Sequence, residues 1–221
     1  MSDTDDKWPL PDYNPGPPKH LHAIGVISMN YNAYERAIYS LYTFHLYRKD
    51  VPAQIIEHYF FNLSERLQLD AIRQVFLGYE RSKKVLAVLE SNLKYFDWCW
   101  HVRNSVLHSY RHQSLIGDPE GSDSIQLVKR RGKKSAAMGY KRFTLKDLRQ
   151  FADQIREGQI HCLLLYIHLR QRGRPQSKWT DPLRRHGPQP LPGILVTPEY
   201  LTLEDHPSDP IPRPQREPSG E

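Results

Sequence analysis

Near the middle of the chain the sequence reads WHVRNSVLHSYRH, which places Arg103, Asn104 and His108 within six residues of one another. Histidine moves protons at physiological pH, and arginine is permanently charged with a planar fork that suits phosphate. Together they supply what RNA cleavage without a metal needs. His108 takes the 2′-hydroxyl proton or protonates the leaving 5′-oxygen, and Arg103 neutralises charge developing on phosphorus. Asn104 orients the ring or the phosphate. On a helix Asn104 and His108, four apart, share a face. Arg103 lies about 140° from His108 around an ideal helix, a gap its long side chain can bridge by curling.

The spacing alone is common, since Arg156 and His161 repeat it with Glu157 in place of the asparagine. A metal site is the rival chemistry. Cys99, His101, His108 and His112 lie close together, and His161 and His168 on a later helix are further ligand candidates. No HExxH pattern or matching second cluster accompanies them, so neither metal nor cofactor is expected. Downstream, Lys129, Arg130, Arg131, Lys133 and Lys134 form a basic tip suited to gripping a phosphate backbone without sequence preference. Tyr95, Phe96, Trp98 and Trp100 are read as packing residues rather than as a base-stacking platform. The same holds for the tyrosines at 31, 34, 39, 42 and 47. Glu35 is read as a solvent-facing residue beside Arg36.

Four long helical patterns must position these groups. The first covers about 20–46, with Ile24, Ile27, Tyr31, Tyr34, Ile38 and Leu41 as its stripe. Asp50 and Pro52 mark the next start. The second covers about 53–77 with a stripe of Ile56, Phe60, Leu63, Leu67, Ala71 and Val75. Asn62 and Ser64 are possible breaks and Gly78 a stop. The third runs from Ser82 to Tyr110 and carries the motif in its last turns. Residues 125–129 and 138–143 read as a β-hairpin, and Thr144 with Asp147 caps a final helix reaching about Arg172. Gly158 within it costs ~1 kcal/mol against alanine.

The proline distribution delimits the folded unit. Five of the eighteen prolines precede residue 20, eleven follow residue 174, and only Pro52 and Pro119 lie between. The expected organisation is a disordered acidic leader (1–19), a helical domain (20–174) and a Pro-rich disordered tail (175–221). Within that tail, residues 191–196 (LPGILV) are the one candidate for extended docking. The expected fold is all-α: an antiparallel four- or five-helix bundle with a small inserted β-hairpin. The formal net charge of +6 is concentrated in the middle region, which points to a polyanionic partner. Two cysteines, Cys99 and Cys162, sit in apolar helical stretches and read as core fillers. No apolar run is long enough to span a bilayer, and the acidic start is unlike a secretory signal. A cytoplasmic protein without membrane attachment is expected.

RNSVLH, at the end of a long helix in a basic helical domain, resembles the motif of the HEPN superfamily of helical-bundle proteins. The resemblance covers about 20–172. It implies a metal-independent ribonuclease acting as a homodimer in a toxin–antitoxin, phage-defence or RNA-processing setting, with RNA or a nucleotide as ligand and an antitoxin or other protein as partner. Carried onto this chain, it gives Arg103 and His108 catalytic roles and Asn104 a supporting one. Two other readings stand beside it. One is an inactive HEPN-like module that binds RNA, nucleotide or protein; the other is a structural helical protein recruiting partners through its proline-rich tail.

Overall fold

The computed structural model describes residues 18–46, 52–108, 110–111, 124–130, 138–172 and 187–198. It is mostly helical: α1 (Pro18–Leu46), α2 (Ala53–Asn62), α3 (Glu65–Tyr79), α4 (Lys83–Leu107) and α5 (Leu145–Gln171). Strands β1 (Tyr110–Arg111), β2 (Ser124–Arg130) and β3 (Met138–Thr144) stand between α4 and α5 in one antiparallel sheet of order β1-β2-β3. This is an all-α bundle with a small strand insertion.

α1 is the central helix. Ile27, Tyr34, Ile38 and Leu41 are buried along the expected stripe, and Tyr39, Thr43 and Phe44 are buried outside it. A helix covered on several sides shows weak amphipathicity, because it has no wide solvent face. Side-chain pairs give the helix directions. Tyr31 and Tyr34 both meet Phe96, and Tyr34 Oη donates to Asn92 O at 3.2 Å while Arg103 lies over Tyr31, so α1 and α4 are antiparallel. Trp98 meets Phe151, and Tyr95 Oη donates to Gln154 O at 3.2 Å, so α4 and α5 are antiparallel too. Asn30 with Ala152 and Phe44 with Tyr166 run α1 and α5 in the same direction. The short α2 makes this possible. It packs through Phe60 on Tyr39 and Tyr42, and α3 then opens with Glu65 beside Tyr31, running parallel to α1.

The break at Leu63 and Ser64 decides which residues α3 buries. Both have extended backbone, and a 3.6-residue period does not carry through non-helical positions. The buried set of α3 is Gln68, Leu69, Ile72 and Phe76, while Leu67 is exposed, so the stripe expected there is shifted. Gln68 Nε2 reaches back to Phe60 O at 3.1 Å, satisfying a carbonyl at the end of α2.

Gly78 is not the stop of α3, which continues through Tyr79. Glu80 ends it. Its Oε1 accepts the amides of Arg81 at 2.9 Å and Ser82 at 2.8 Å, and its Oε2 accepts from Arg172 just beyond α5. The side chain is 3% exposed. Burial alone would raise the Glu80 pKa, but the Arg172 bond, the Ser82 and Arg81 amides and the Arg172 charge outweigh it and hold the carboxyl below its ordinary range. A depressed carboxyl contributes stability at and above the ordinary carboxylate pKa and loses it as pH falls through the depressed value. Glu80→Gln is therefore expected to lower the melting temperature at pH 7, with the gap to wild type narrowing on acidification. A gap constant from pH 7 to pH 3 in calorimetry would contradict this.

α4 stops at Leu107 rather than Tyr110, and Tyr110–Arg111 instead pair with Val128 and Leu127 of β2. The edge of β2 would otherwise present unpaired backbone groups, and the chain leaving α4 covers part of it. Ile125 and Phe143, opposite each other in β2 and β3, turn into the core. The α5 cap is the expected reciprocal pair: Thr144 Oγ1 accepts from Asp147 N at 3.1 Å, and Asp147 Oδ2 accepts from Thr144 N at 2.8 Å. Cys99 and Cys162 are buried and free, their thiols held protonated by burial. Tyr95, Phe96 and Trp98 are core residues and Trp100 packs against them. Tyr47, Asp50 and His112 lie outside the described residues.

Residues 187–198, within the stretch expected to be a disordered tail, lie against α4 and α5. Leu195 is buried among core residues, and its amide donates to Ser91 Oγ at 3.1 Å. The LPGILV run is thus docked, without strand pairing. Among the described residues, no helix is long and apolar enough to cross a membrane.

Candidate active site

The last turn of α4 positions the motif. Val102 and Val106 are buried and anchor this turn, which leaves Arg103, Asn104 and Ser105 half-buried beside the surface. His108 is the C-cap, with φ −97° and ψ 16°, and its amide still donates to Asn104 O at 3.2 Å. Because His108 has left helical geometry, the angular separation of an ideal helix does not apply. Its Nε2 lies 3.4 Å from Arg103 Nη1, and the same Nη1 donates to Asn104 Oδ1 at 2.8 Å. The three motif residues therefore converge within a single protomer. A guanidinium has donors only, so any hydrogen bond across this contact has His108 Nε2 as its acceptor.

Two other helices complete the surroundings. The Arg103 Cζ sits 5.1 Å from the centroid of the Tyr31 ring of α1, a cation–π contact that fixes the guanidinium's plane. Tyr31 Oη donates to Glu65 Oε1 of α3 at 3.5 Å. Burial pushes the Tyr31 phenol far up and keeps it a donor. Glu35 is half-buried on α1, where the sequence reading favoured a solvent-facing residue. Burial raises its pKa, and the Arg103 charge opposes the rise. Glu65 behaves in the same way: burial raises it, Arg103 lowers it, Glu35 raises it, and hydrogen bonds from Tyr31 and Trp100 lower it, with a net rise. Each carboxyl is easier to protonate than an ordinary one.

Tyr31 and Glu65 escape sequence reasoning because nothing local marks them. Tyr31 reads as core, which it also is. Glu65 opens a helix whose position beside α1 is fixed only by packing.

The other candidates fall elsewhere. In the decoy pair, Arg156 is exposed on α5, and His161 faces the docked 187–198 segment instead. His168 does the same, with Nδ1 3.0 Å from Gln189 O. His101 is exposed and lies 3.8 Å from Asp97. Among the described residues, no three His, Cys, Asp or Glu side chains are grouped to hold a metal. Lys129 and Arg130 end strand β2, and Arg131, Lys133 and Lys134 lie outside the described residues.

Searches against protein-family models, curated proteins and solved structures returned no match to this chain.

Proposed function

We propose that the chain is a HEPN-type, metal-independent endoribonuclease that acts as a homodimer. The observation that carries this reading is the three-way contact of Arg103, Asn104 and His108 at the surface end of α4. An imidazole stands beside a guanidinium that meets Asn104 Oδ1 on one side and the Tyr31 ring on another. His108 Nε2 removes the 2′-hydroxyl proton, the 2′-oxygen attacks phosphorus, and the P–O5′ bond breaks. The 5′-oxygen leaves with a proton from the imidazolium of the second copy, giving a 2′,3′-cyclic phosphate and a 5′-hydroxyl. Arg103 stabilises the charge developing on the phosphoryl oxygens. The net positive charge attracts the polyanionic substrate.

Purified full-length chain is expected to cut single-stranded RNA in excess EDTA, leaving cyclic-phosphate ends detectable by end-labelling. Cleavage that appears only with added divalent metal would remove the proposal. A second reading, a catalytically inactive RNA- or nucleotide-binding module, is favoured by one feature. Glu35 and Glu65 both act on the Arg103 charge, so the guanidinium is partly neutralised before any phosphate arrives. That reading expects RNA retention on a filter with no product at any protein concentration.

A further inference from the structure

Residues 187–198 are held by α4 and α5 almost wholly through their main chain. Gln171, buried on α5, uses both ends of its amide: Nε2 donates to Gly187 O at 2.8 Å and Oε1 accepts from Gln189 N at 2.7 Å. A primary amide used this way substitutes for the hydrogen-bonding edge of a neighbouring strand. His168 Nδ1 lies 3.0 Å from Gln189 O and His161 Nε2 lies 2.9 Å from Gly193 O, and a carbonyl can only accept, so both rings donate. Burial holds His161 below its ordinary range, against the pull of the Gly193 carbonyl and Glu157. Ser91 Oγ accepts the Leu195 amide and itself donates to Val88 O at 2.8 Å.

His161, His168 and Gln171 stand seven and three residues apart, so they line one side of α5. Asn92, fully buried on α4, lies against one end of this row, with Oδ1 3.2 Å from His161 Nδ1. On the strap, Pro188, Pro190, Pro192 and Pro198 have no amide hydrogen to satisfy. Leu195 is the buried side chain, at 9% exposure, Leu191 packs partly buried against the core, and Ile194 and Val196 are exposed at 58% and 78%.

These are the features of a peptide-recognition groove: donors and acceptors aimed at main-chain atoms, a preference for proline-stiffened extended backbone, and a buried apolar anchor. We infer that the α4–α5 groove is a binding site for an extended, proline-containing peptide with one leucine-like anchor, and that residues 187–198 occupy it as a tethered ligand. A partner segment of the same chemistry binds there by displacing them. Its covalent connection to the bundle makes the internal ligand a strong competitor, at an effective concentration on the order of millimolar. The wild-type chain is therefore closed to such partners unless the strap is released. This site is separate from Arg103 and His108 and does not depend on the ribonuclease reading.

The test uses the full-length chain carrying Leu195→Asp, which puts a charge at the anchor position; far-UV circular dichroism checks that the bundle remains folded. Amide exchange at Gln189 and Leu195 reports strap release. A fluorescent synthetic peptide of residues 187–198 serves as the probe in polarisation titrations. The Leu195→Asp chain is expected to bind it at least tenfold more tightly than wild type. Adding Gln171→Ala to that chain, or placing Leu195→Asp in the peptide, is expected to abolish binding. Equal binding by wild type and variant would overturn the inference. So would a released strap with no peptide binding, or unchanged amide protection in the variant, since Leu195 would then not be the anchor.

Discussion

Replacing His108 with alanine is expected to slow RNA cleavage in EDTA by about a hundred- to ten-thousand-fold, the usual contribution of a positioned acid–base group. The fold should not register the change. His108 is exposed at a C-cap, and what holds it to α4 is a backbone bond that alanine keeps. Melting temperature and far-UV circular dichroism should match wild type. Arg103→Lys provides the complementary case. Lysine retains the charge but lacks the planar fork that meets Asn104 and His108 with one nitrogen while lying over Tyr31. Cleavage should fall by a comparable factor, and RNA affinity should fall much less, since long-range attraction needs only charge. Undiminished cleavage by the alanine variant would exclude His108 from the chemistry.

The largest expected effect on stability comes from a single methyl group. Gly158 lies in the middle of α5, where helix propensity alone makes alanine better by ~1 kcal/mol. A Cβ there would fall 2.6 Å from Tyr34 Cε1, 2.9 Å from Tyr34 Cζ and 2.9 Å from Tyr95 Cδ1. Neither ring can swing aside cheaply. Tyr34 is fully buried and donates to Asn92 O, and Tyr95 is buried and donates to Gln154 O. Forcing atoms into such a site costs ~1–3 kcal/mol and here also strains two hydrogen bonds. Gly158→Ala is therefore expected to lower the melting temperature by roughly 2–8 °C, on the ordinary scaling for a domain of this size. Gly158→Val should do worse, being larger and a poorer helix former. A Gly158→Ala protein that melts at or above the wild-type temperature would mean that α1, α4 and α5 are not so closely apposed.

The groove on α4 and α5 connects to this packing through Asn92. Its carbonyl receives Tyr34, its Nδ2 donates to Val88 O at 2.8 Å, and its Oδ1 faces His161. Asn92 thus touches both Tyr34, the ring beside Gly158, and the row that holds the strap. The histidines at 161 and 168, which sequence spacing offers as metal-ligand candidates, face strap carbonyls in the folded chain.

By itself the sequence determined what depends on neighbours along the chain. The reciprocal Thr144 and Asp147 cap, the start of α2 after Pro52, the possible break near Asn62 and Ser64 and the proximity of Arg103 to Asn104 and His108 all involve residues within a few positions of one another. Hydrogen-bond rings and turn sterics of that size leave a mark in residue type and spacing. The tertiary structure alone decided the rest. It set the face that α3 buries after its break, the need for glycine at 158, the Glu80–Arg172 tie across 92 positions and the placement of Tyr31 and Glu65 around Arg103. It also decided the docking of residues 187–198, whose partners read main-chain atoms that every residue type carries. Contacts of this kind arise from where helices cross in space, and a linear pattern holds no record of the crossing.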